Sequence, residues 1–209
     1  MEKFLSKLEG PTVLVKVGTG DSSREFTVSR SLLSLCTWFR AALEDDRFQE
    51  GRTGVISLPE DTLRAFRSFY FYLLRRKLIF KYLYLKSETF DEFVEQLNTS
   101  IEIWIFAGKY SSRYLRDCAM EAFCWHLDSA TPNDIGLPPA SLAVCFSHTA
   151  EDSPLRKLAA DYVVTRMHGG KADAGELVGE LAPLRGFIQA LNEAHQFHHD
   201  AKKGTSIYI

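Results

Sequence analysis

The sequence predicts an α+β fold, in which a short three-stranded sheet packs with helices and a small all-helical extension follows. Three observations support this prediction. Two strand-like stretches flank a glycine-containing turn near the start of the chain, a third short strand follows, and later apolar residues recur at helical spacing. With 209 residues and 45% apolar content, the chain can bury a core as one large domain or two small ones.

The first predicted elements are a hairpin and a helix. The segment TVLVKV, from Thr12 to Val17, is rich in β-branched residues, and Gly18 and Gly20 supply turn chemistry before a second strand at FTV. Either Ser29 or Ser31 can cap the helix that follows. The apolar residues that predict this helix are Leu32, Leu35, Cys36, Phe39, Ala42 and Leu43.

The middle of the chain contains a third strand and three predicted helices. The segment GVISLP predicts a strand that ends at Pro59, because proline cannot donate a hydrogen bond to a sheet. A helix begins near Asp61, and two later helices, carrying Trp104 and Trp125, form an αα-hairpin. Between the helix near Asp61 and the helix with Trp104, the insertion from about Arg75 to Phe93 lacks a clean period. This predicts an irregular or extended connection.

The last third of the chain is predicted to be helical. The proline- and glycine-containing segment DSATPNDIGLPPAS is the best linker candidate and places a domain boundary near Asp128. The predicted organisation is therefore a segment at 1–10, a domain at 11–128 and a helical extension at 129–209. Ser153 and Pro154 start one helix of this extension, and leucines between Leu177 and Leu191 predict at least one more.

Charge and composition favour an ordinary soluble protein. The formal net charge of −2 gives no overall electrostatic reason to expect a nucleic acid or an anionic membrane as a partner. The first ten residues lack the apolar core of a signal peptide, and no apolar run approaches the length of a membrane span. We therefore expect a cytoplasmic or nuclear protein.

The four cysteines are Cys36, Cys118, Cys124 and Cys145. They show no paired C-x-x-C spacing, and three of them lie within apolar helical patterns, where a free thiol behaves as a small apolar group. We expect all four to be reduced and buried.

Six blocks of sequence follow one another between about Pro11 and Leu127: VLVKVG, FTVSRSLLSLCTWFRAAL, RFQE, VISLPED, AFRSFYFYLL and IWIFAGKYSSRYLRDCAMEAF. In order and spacing they resemble a BTB/POZ domain, of the kind common in fungal proteins. The C-terminal part is similar to the helical extensions that often follow this domain. The resemblance implies a non-enzymatic protein-interaction module that forms a homodimer and needs no cofactor.

The sequence also departs from the BTB/POZ pattern. In FTVSR, Ser29 replaces the usual histidine while Arg30 keeps the basic position. Pro11 and Thr12 stand where homodimeric members carry an aspartate beside that basic residue, which argues against binding of co-repressor peptides in the charged pocket. Residues 74–76 replace the tyrosine, threonine and glycine usual after the FYFYLL helix.

The expected dimer interface combines the basic position with the N-terminal segment. Phe4, Leu5 and Leu8 form a short apolar stripe that needs cover, and a second copy of the chain can supply it. The interface candidates are therefore these three residues and Arg30. The alternative is that the C-terminal helices cover the stripe within one chain, which would leave a monomer.

The segment ALEDDRFQEG contains a candidate binding motif. BTB domains that recruit a cullin scaffold carry a hydrophobic-x-Glu motif at the matching place, and Phe48 and Glu50 fit it. The resemblance therefore implies an adaptor that presents an unknown target protein to a cullin-based ubiquitin ligase. Two alternatives stay open: Phe48 packs into the core, or the protein is an assembly or transcription-related scaffold that binds no cullin.

A metal site is the rival interpretation. His195, His198 and His199, together with Cys145 and His148, could supply metal ligands, and the first and third of these histidines share one helical face. No second pair at a familiar spacing supports such a site. We therefore expect a solvated helix end and no metal.

Catalysis and nucleic-acid binding are also disfavoured. His126 could meet Cys118 or Cys124 in space, but a packed histidine is the more usual outcome for such a pattern, and no G-x-S-x-G signature is present. The basic and aromatic run from Arg75 to Lys86 could follow a phosphate backbone. The same pattern of residues is explained if the aliphatic part of each lysine side chain lies over apolar neighbours. We expect no catalytic residue and no nucleic-acid or membrane partner.

Overall fold

The computed structural model describes residues 10–44, 47–75 and 89–205. These residues form three β-strands and ten α-helices, which confirms the predicted mixed α+β class. Their contacts divide into two compact units. The first contains the described residues of Met1–Leu85 together with Glu102–Ala119, and the second contains those of Lys86–Ile101 together with Met120–Ile209.

The first unit is built on a three-stranded sheet of β1 (Thr12–Val17), β2 (Arg24–Ser29) and β3 (Val55–Leu58). The strand order is β2-β1-β3, with β2 antiparallel and β3 parallel to β1. Alternate residues of β1 are buried, as the two-residue period of a strand with one covered face requires. Both the hairpin and the third strand are therefore confirmed.

Six helices contribute to the first unit, and two of them also contribute to the second. They are α1 (Arg30–Leu33), α2 (Thr37–Leu43), α3 (Gln49–Thr53), α4 (Leu63–Arg75), α5 (Phe90–Lys109) and α6 (Arg113–Ala130). The sequence predicted α4, α5 and α6 but missed α3, which is only five residues long. The insertion lies mostly at residues 76–88, outside the described residues, so the prediction for it stays a prediction.

The single helix predicted after β2 is wrong, because the chain forms α1 and α2 with a break between them. Ser29 caps α1 by accepting a hydrogen bond from the backbone N–H of Leu32 at 3.4 Å. At the break, the backbone of Cys36 is extended, with φ −89° and ψ 128°. Its thiol donates to the carbonyl oxygen of Tyr110 at 3.3 Å, a contact that local periodicity cannot reveal.

An aromatic cluster forms the core of the first unit. The Tyr110 ring lies 5.0 Å from Phe39 and 4.5 Å from Phe106, and the Phe39 ring lies 5.3 Å from Phe69, measured between centroids. The Tyr110 hydroxyl donates to Oδ2 of Asp61 at 2.5 Å. Burial, followed by the Asp61 carboxylate, raises the pKa of Tyr110, so the hydroxyl keeps the proton that it donates.

The second unit is helical, which confirms the prediction for the last third of the chain. Besides parts of α5 and α6, it contains α7 (Pro139–Ser147), α8 (Pro154–His168), α9 (Ala174–Leu181) and α10 (Phe187–Thr205). Ser153 caps α8 as predicted, by accepting from the backbone N–H of Leu155 at 3.3 Å.

The proline-containing segment between α6 and α7 is anchored within the second unit. The Tyr162 hydroxyl donates to the carbonyl oxygen of Ile135 and accepts from the backbone N–H of Leu137, at 2.9 and 3.2 Å. The buried guanidinium of Arg166 donates to Asp134 at 2.8 Å and to Asp173 at 2.6 Å. The division between the two units falls inside α5 and α6, and the boundary near Asp128 stays a prediction.

A second buried arginine joins the end of α7 to the loop before α10. Arg156 is 5% exposed, and its guanidinium donates to the carbonyl oxygens of Phe146, Thr149 and Arg185. Its Nε donates to the Thr149 hydroxyl at 3.2 Å, so the described partners of this cation are carbonyls and a hydroxyl rather than a carboxylate. The guanidinium therefore fixes the path of the chain at Gly186.

The cysteine prediction is correct for three residues and wrong for one. None of the four cysteines forms a disulfide bond, and Cys36, Cys118 and Cys145 are buried. Cys124 is only partly buried, because it lies on the α6 surface that lines a cleft.

Replacing Gly186 should destabilise the second unit. Its φ of +82° is unfavourable for a residue with a side chain, and an added Cβ would lie 2.8 Å from a guanidinium nitrogen of Arg156. We expect Gly186→Ala to lower the free energy of unfolding by about 2 kcal/mol, measured by urea denaturation.

Gly179→Ala is the matched control, because Gly179 lies within helix α9 and an added Cβ would meet nothing within 4 Å. We expect it to raise the free energy of unfolding by about 0.5 kcal/mol. Equal stabilities for the two variants would contradict the role given to Arg156.

Candidate protein-interaction surface

Phe48 lies at the surface of the first unit, at the start of α3. It occupies the N-cap position with extended backbone angles, φ −114° and ψ 156°, and its carbonyl oxygen accepts from the backbone N–H of Arg52 at 3.4 Å. Its side chain is 52% exposed. Phe48 is therefore not a core residue, and an apolar ring is available to solvent at the predicted motif.

Both helices next to Phe48 are fixed to the body of the first unit. Helix α2 buries Phe39 and Leu43, and the Arg30 guanidinium donates to the carbonyl oxygen of Leu43 at its last turn. Helix α3 ends at Gly54, whose φ of +65° allows a left-handed C-cap. The Gly54 carbonyl accepts from the backbone N–H of Leu14 in β1 at 2.9 Å. Strand β1 thus holds the end of α3.

Glu50 lies in the first turn of α3 and is half-buried. The exposed residues around it carry both signs of charge: Glu44 precedes the helix, while Arg47 and Arg52 flank the motif. Asp45 and Asp46, the other acids of the predicted loop, lie outside the described residues. The described part of this surface is therefore an exposed aromatic ring in a mixed charged setting.

Sequence reasoning missed Trp38 as a surface residue. This side chain is 38% exposed, and its ring meets the edge of Tyr110 at a centroid separation of 4.8 Å. Trp38 stands outside the helical stripe that predicted the buried residues of α2, which is the signal that could have identified it.

The predicted dimer interface is described only at Arg30. Its side chain is half-buried and donates within its own chain, to Leu43. Phe4, Leu5 and Leu8 lie outside the described residues. The dimer interface therefore stays a prediction.

The C-terminal histidines lie at the contact of α8 and α10. The His168 ring lies 5.1 Å from the His195 ring and 5.5 Å from the His198 ring, and His198 Nε2 is 2.8 Å from Oδ1 of Asp161. His199 is exposed, with Nδ1 3.5 Å from Asp200. Across residues 10–44, 47–75 and 89–205, no group of three or more histidine, cysteine or acidic residues could hold a metal ion.

Cys145 and His148 do not extend this histidine group. Cys145 is fully buried, and burial raises the pKa of its thiol to about 12, so that it stays protonated. His148 lies at the exposed C-cap of α7. The rival interpretation, a metal site that joins these two residues to the C-terminal histidines, thus lacks the thiolate that a metal needs.

His126 is a packed histidine rather than a partner of a nucleophile. It is fully buried, its ring lies 5.0 Å from both Phe93 and Trp125, and Nδ1 is 2.7 Å from the carbonyl oxygen of Ala122. Within the described part of the chain, Nε2 has no hydrogen-bond partner. Burial lowers the pKa of the imidazole and raises that of the Cys124 thiol, which disfavours an ion pair between them.

The membrane and family comparisons add two findings. None of the helices in the described ranges has the length and apolar character needed to cross a membrane. In comparisons with known proteins, no family model matches the chain, and no curated protein or solved structure matches it significantly. The BTB/POZ resemblance therefore stays a prediction from the sequence.

The packing of His126 predicts an acid-sensitive second unit. Because the folded-state pKa is lowered, the unfolded chain binds more protons at acidic pH, and the free energy of unfolding rises with pH. The His126 contribution is fully present above the ordinary pKa of about 6.5 and is lost as the pH falls through and below it. Urea denaturation between about pH 7.5 and about pH 5.5 measures this slope.

His126→Leu should reduce the slope, whereas His199→Gln, at an exposed position, should retain it. If His126→Leu keeps the full pH dependence, another group carries it.

Proposed function

We propose that this chain is a non-enzymatic protein-interaction module with a BTB/POZ-like domain, which presents a target protein to a cullin-based ubiquitin ligase. Catalysis then belongs to the partner. The observation that carries the proposal is the exposed ring of Phe48 at the start of α3. An aromatic side chain that is accessible on a rigid element is the usual anchor of a protein interface.

The order of elements supports the BTB/POZ part of the proposal. The blocks that suggested the resemblance fall on β1, β2, the α1–α2 pair, β3 and α4, and the last block falls on α5 and α6. The hydrophobic-x-Glu motif then falls on α3, between α2 and β3. This is a match of order and motif, and the proposed domain extends over residues 11–128.

Glu50 has a supporting role in the proposed interface. Phe48 fills an apolar pocket of the cullin, whereas Glu50 faces a basic patch and fixes the register of the two proteins. Charges at the rim of an interface affect the rate of association more than the affinity. Glu50 is half-buried in the first turn of α3, two residues after Phe48 in the chain.

Self-association is the second part of the proposal. Phe4, Leu5 and Leu8 would pack against a second copy of the chain, and a symmetric dimer closes such an interface on itself. The bond from Arg30 to Leu43 holds α2 in place, so Arg30 would support the interface by positioning that helix. A cytoplasmic or nuclear location suits an adaptor of this kind.

The alternative function is an assembly or transcription-related scaffold that binds no cullin. Such a scaffold would also have the BTB/POZ-like domain and form the dimer, but Phe48 would have no role in its function. A metal-binding protein is less favoured, because the histidines at α8 and α10 form no metal-binding group among the described residues.

Phe48→Ala should remove cullin binding without unfolding the protein. Truncation of an interface anchor costs ~2 kcal/mol, or about thirty-fold in affinity, whereas an exposed position changes the free energy of unfolding by at most about 0.5 kcal/mol. Calorimetric binding to a purified cullin and thermal denaturation are measured on the same variants. Glu50→Ala should weaken binding less, and its effect should disappear at high salt.

Phe90→Ala is the matched control, because Phe90 is a second exposed phenylalanine, 53% exposed at the start of α5. It should retain cullin binding. Absence of binding by the unmutated protein, or loss only in step with unfolding, removes the cullin mechanism and leaves the scaffold.

Light scattering at micromolar concentration should give about twice the monomer mass. Substituting both Phe4→Asp and Leu8→Asp should give the monomer mass, because two charges in the apolar stripe cannot be buried without partners. Phe197→Asp, at a position in α10 that is 70% exposed, is the control and should retain the dimer. A monomer mass for the unmutated protein at every concentration would exclude self-association.

A further inference from the structure

A cleft in the second unit lies between the end of α6 and the middle of α8. Its volume is about 440 Å³, within the range of small-ligand sites. We propose that it binds one lysine or arginine side chain presented by a segment of a partner protein. Its described lining comes from the end of α6, the segment that follows it and the middle of α8.

The charge of the cleft favours a cation. Asp128 and Asp161 line it, and none of its described lining residues is a lysine or an arginine. The negative charge also acts on the Cys124 thiol, because burial and then the Asp128 carboxylate raise the pKa of that thiol. The described lining therefore contains two carboxylates and no lysine or arginine, while the imidazole of His198, outside this lining, contacts Asp161.

Asp161 is held in place by a histidine. Its Oδ1 atom lies 2.8 Å from Nε2 of His198, which belongs to α10. A carboxylate accepts several hydrogen bonds, so this contact orients Asp161 and leaves capacity for a ligand. The Asp161 side chain is 45% exposed, so a partner can reach it from solvent.

The remaining lining residues suit the stem of a long basic side chain. Leu127, Pro132 and Leu158 provide apolar contacts, as the methylene groups of lysine and arginine require. The hydroxyls of Thr131 and Thr165 are further acceptors for its polar end. The combination of apolar wall and carboxylates fits a peptide side chain better than an inorganic cation, for which no described group provides a site.

The inference does not depend on cullin binding. The cleft belongs to the second unit, whereas Phe48 and Glu50 belong to the first. If both proposals are correct, the cleft is a place where the adaptor binds its target protein. If Phe48→Ala does not affect cullin binding, the proposal for the cleft still stands. If the arginine peptide does not bind the cleft, the proposal for cullin binding still stands.

Cys124 provides a reporter inside the cleft, because the other three cysteines are buried. The intact chain is treated with iodoacetamide, and the rate of Cys124 alkylation is followed by mass spectrometry. The reaction is repeated with acetyl-Ala-Arg-Ala-amide and with acetyl-Ala-Gln-Ala-amide. The arginine peptide should slow the alkylation at millimolar concentration, and the glutamine peptide should not.

Asp128→Asn and Asp161→Asn test the carboxylates. Each should raise the arginine peptide concentration for half-protection by about tenfold, because a charge-assisted hydrogen bond becomes a neutral one. Protection is expressed for each variant relative to its own rate without peptide, since Asp128→Asn also lowers the pKa of the thiol and speeds its alkylation. Glu180→Gln, exposed on α9 and outside the cleft, removes the same charge and should leave protection unchanged.

Three outcomes would overturn the proposal. One is the absence of protection by the arginine peptide at millimolar concentration, and another is equal protection by the glutamine peptide. The third is unchanged protection in both aspartate variants when their thermal denaturation matches that of the unmutated chain.

Discussion

The hydrogen bond from Tyr110 to Asp61, made inside an aromatic cluster, is the interaction on which the first unit depends. The Tyr110 ring contacts Phe39 of α2 and Phe106 of α5, while its carbonyl oxygen accepts from the Cys36 thiol. One residue therefore determines where α2 begins and which face it buries. The exposed motif on α3 follows α2 and is held by β1, so its position depends on this core.

The second unit depends on buried polar groups as well as on aromatic packing such as the contact between Phe146 and Phe187. Arg156 and Arg166 are each 5% exposed. Removing the hydrogen-bond partners of a buried cation costs far more free energy than forming those bonds gains, because the charge is left buried without compensation. Arg166 and Tyr162 anchor the segment between α6 and α7. Tyr162 also lines the acidic cleft, so the groups that fix this segment support the proposed binding site.

The proposed functions assign one surface to each unit. An adaptor needs a site for the ligase and a site for the target, and it needs no catalytic group. The exposed Phe48 ring suits the first role because a rigid apolar anchor loses little conformational freedom on binding. The cleft suits the second because carboxylates in its lining select for a cation, which gives specificity without a large interface.

The sequence by itself determined the α+β class, the hairpin, the third strand, the Ser153 cap and the helical C-terminal part. These features follow from period, turn residues and caps, which act over a few neighbouring residues. Only the tertiary structure decided the break at Cys36, the exposure of Phe48 and Trp38, and the anchoring of the segment that looked like a linker. The break and the anchoring depend on partners distant in the chain: Tyr110 for Cys36, Tyr162 for Leu137 and Arg166 for Asp134. Such contacts leave no local pattern, because burial and hydrogen bonding between distant residues are properties of the folded chain.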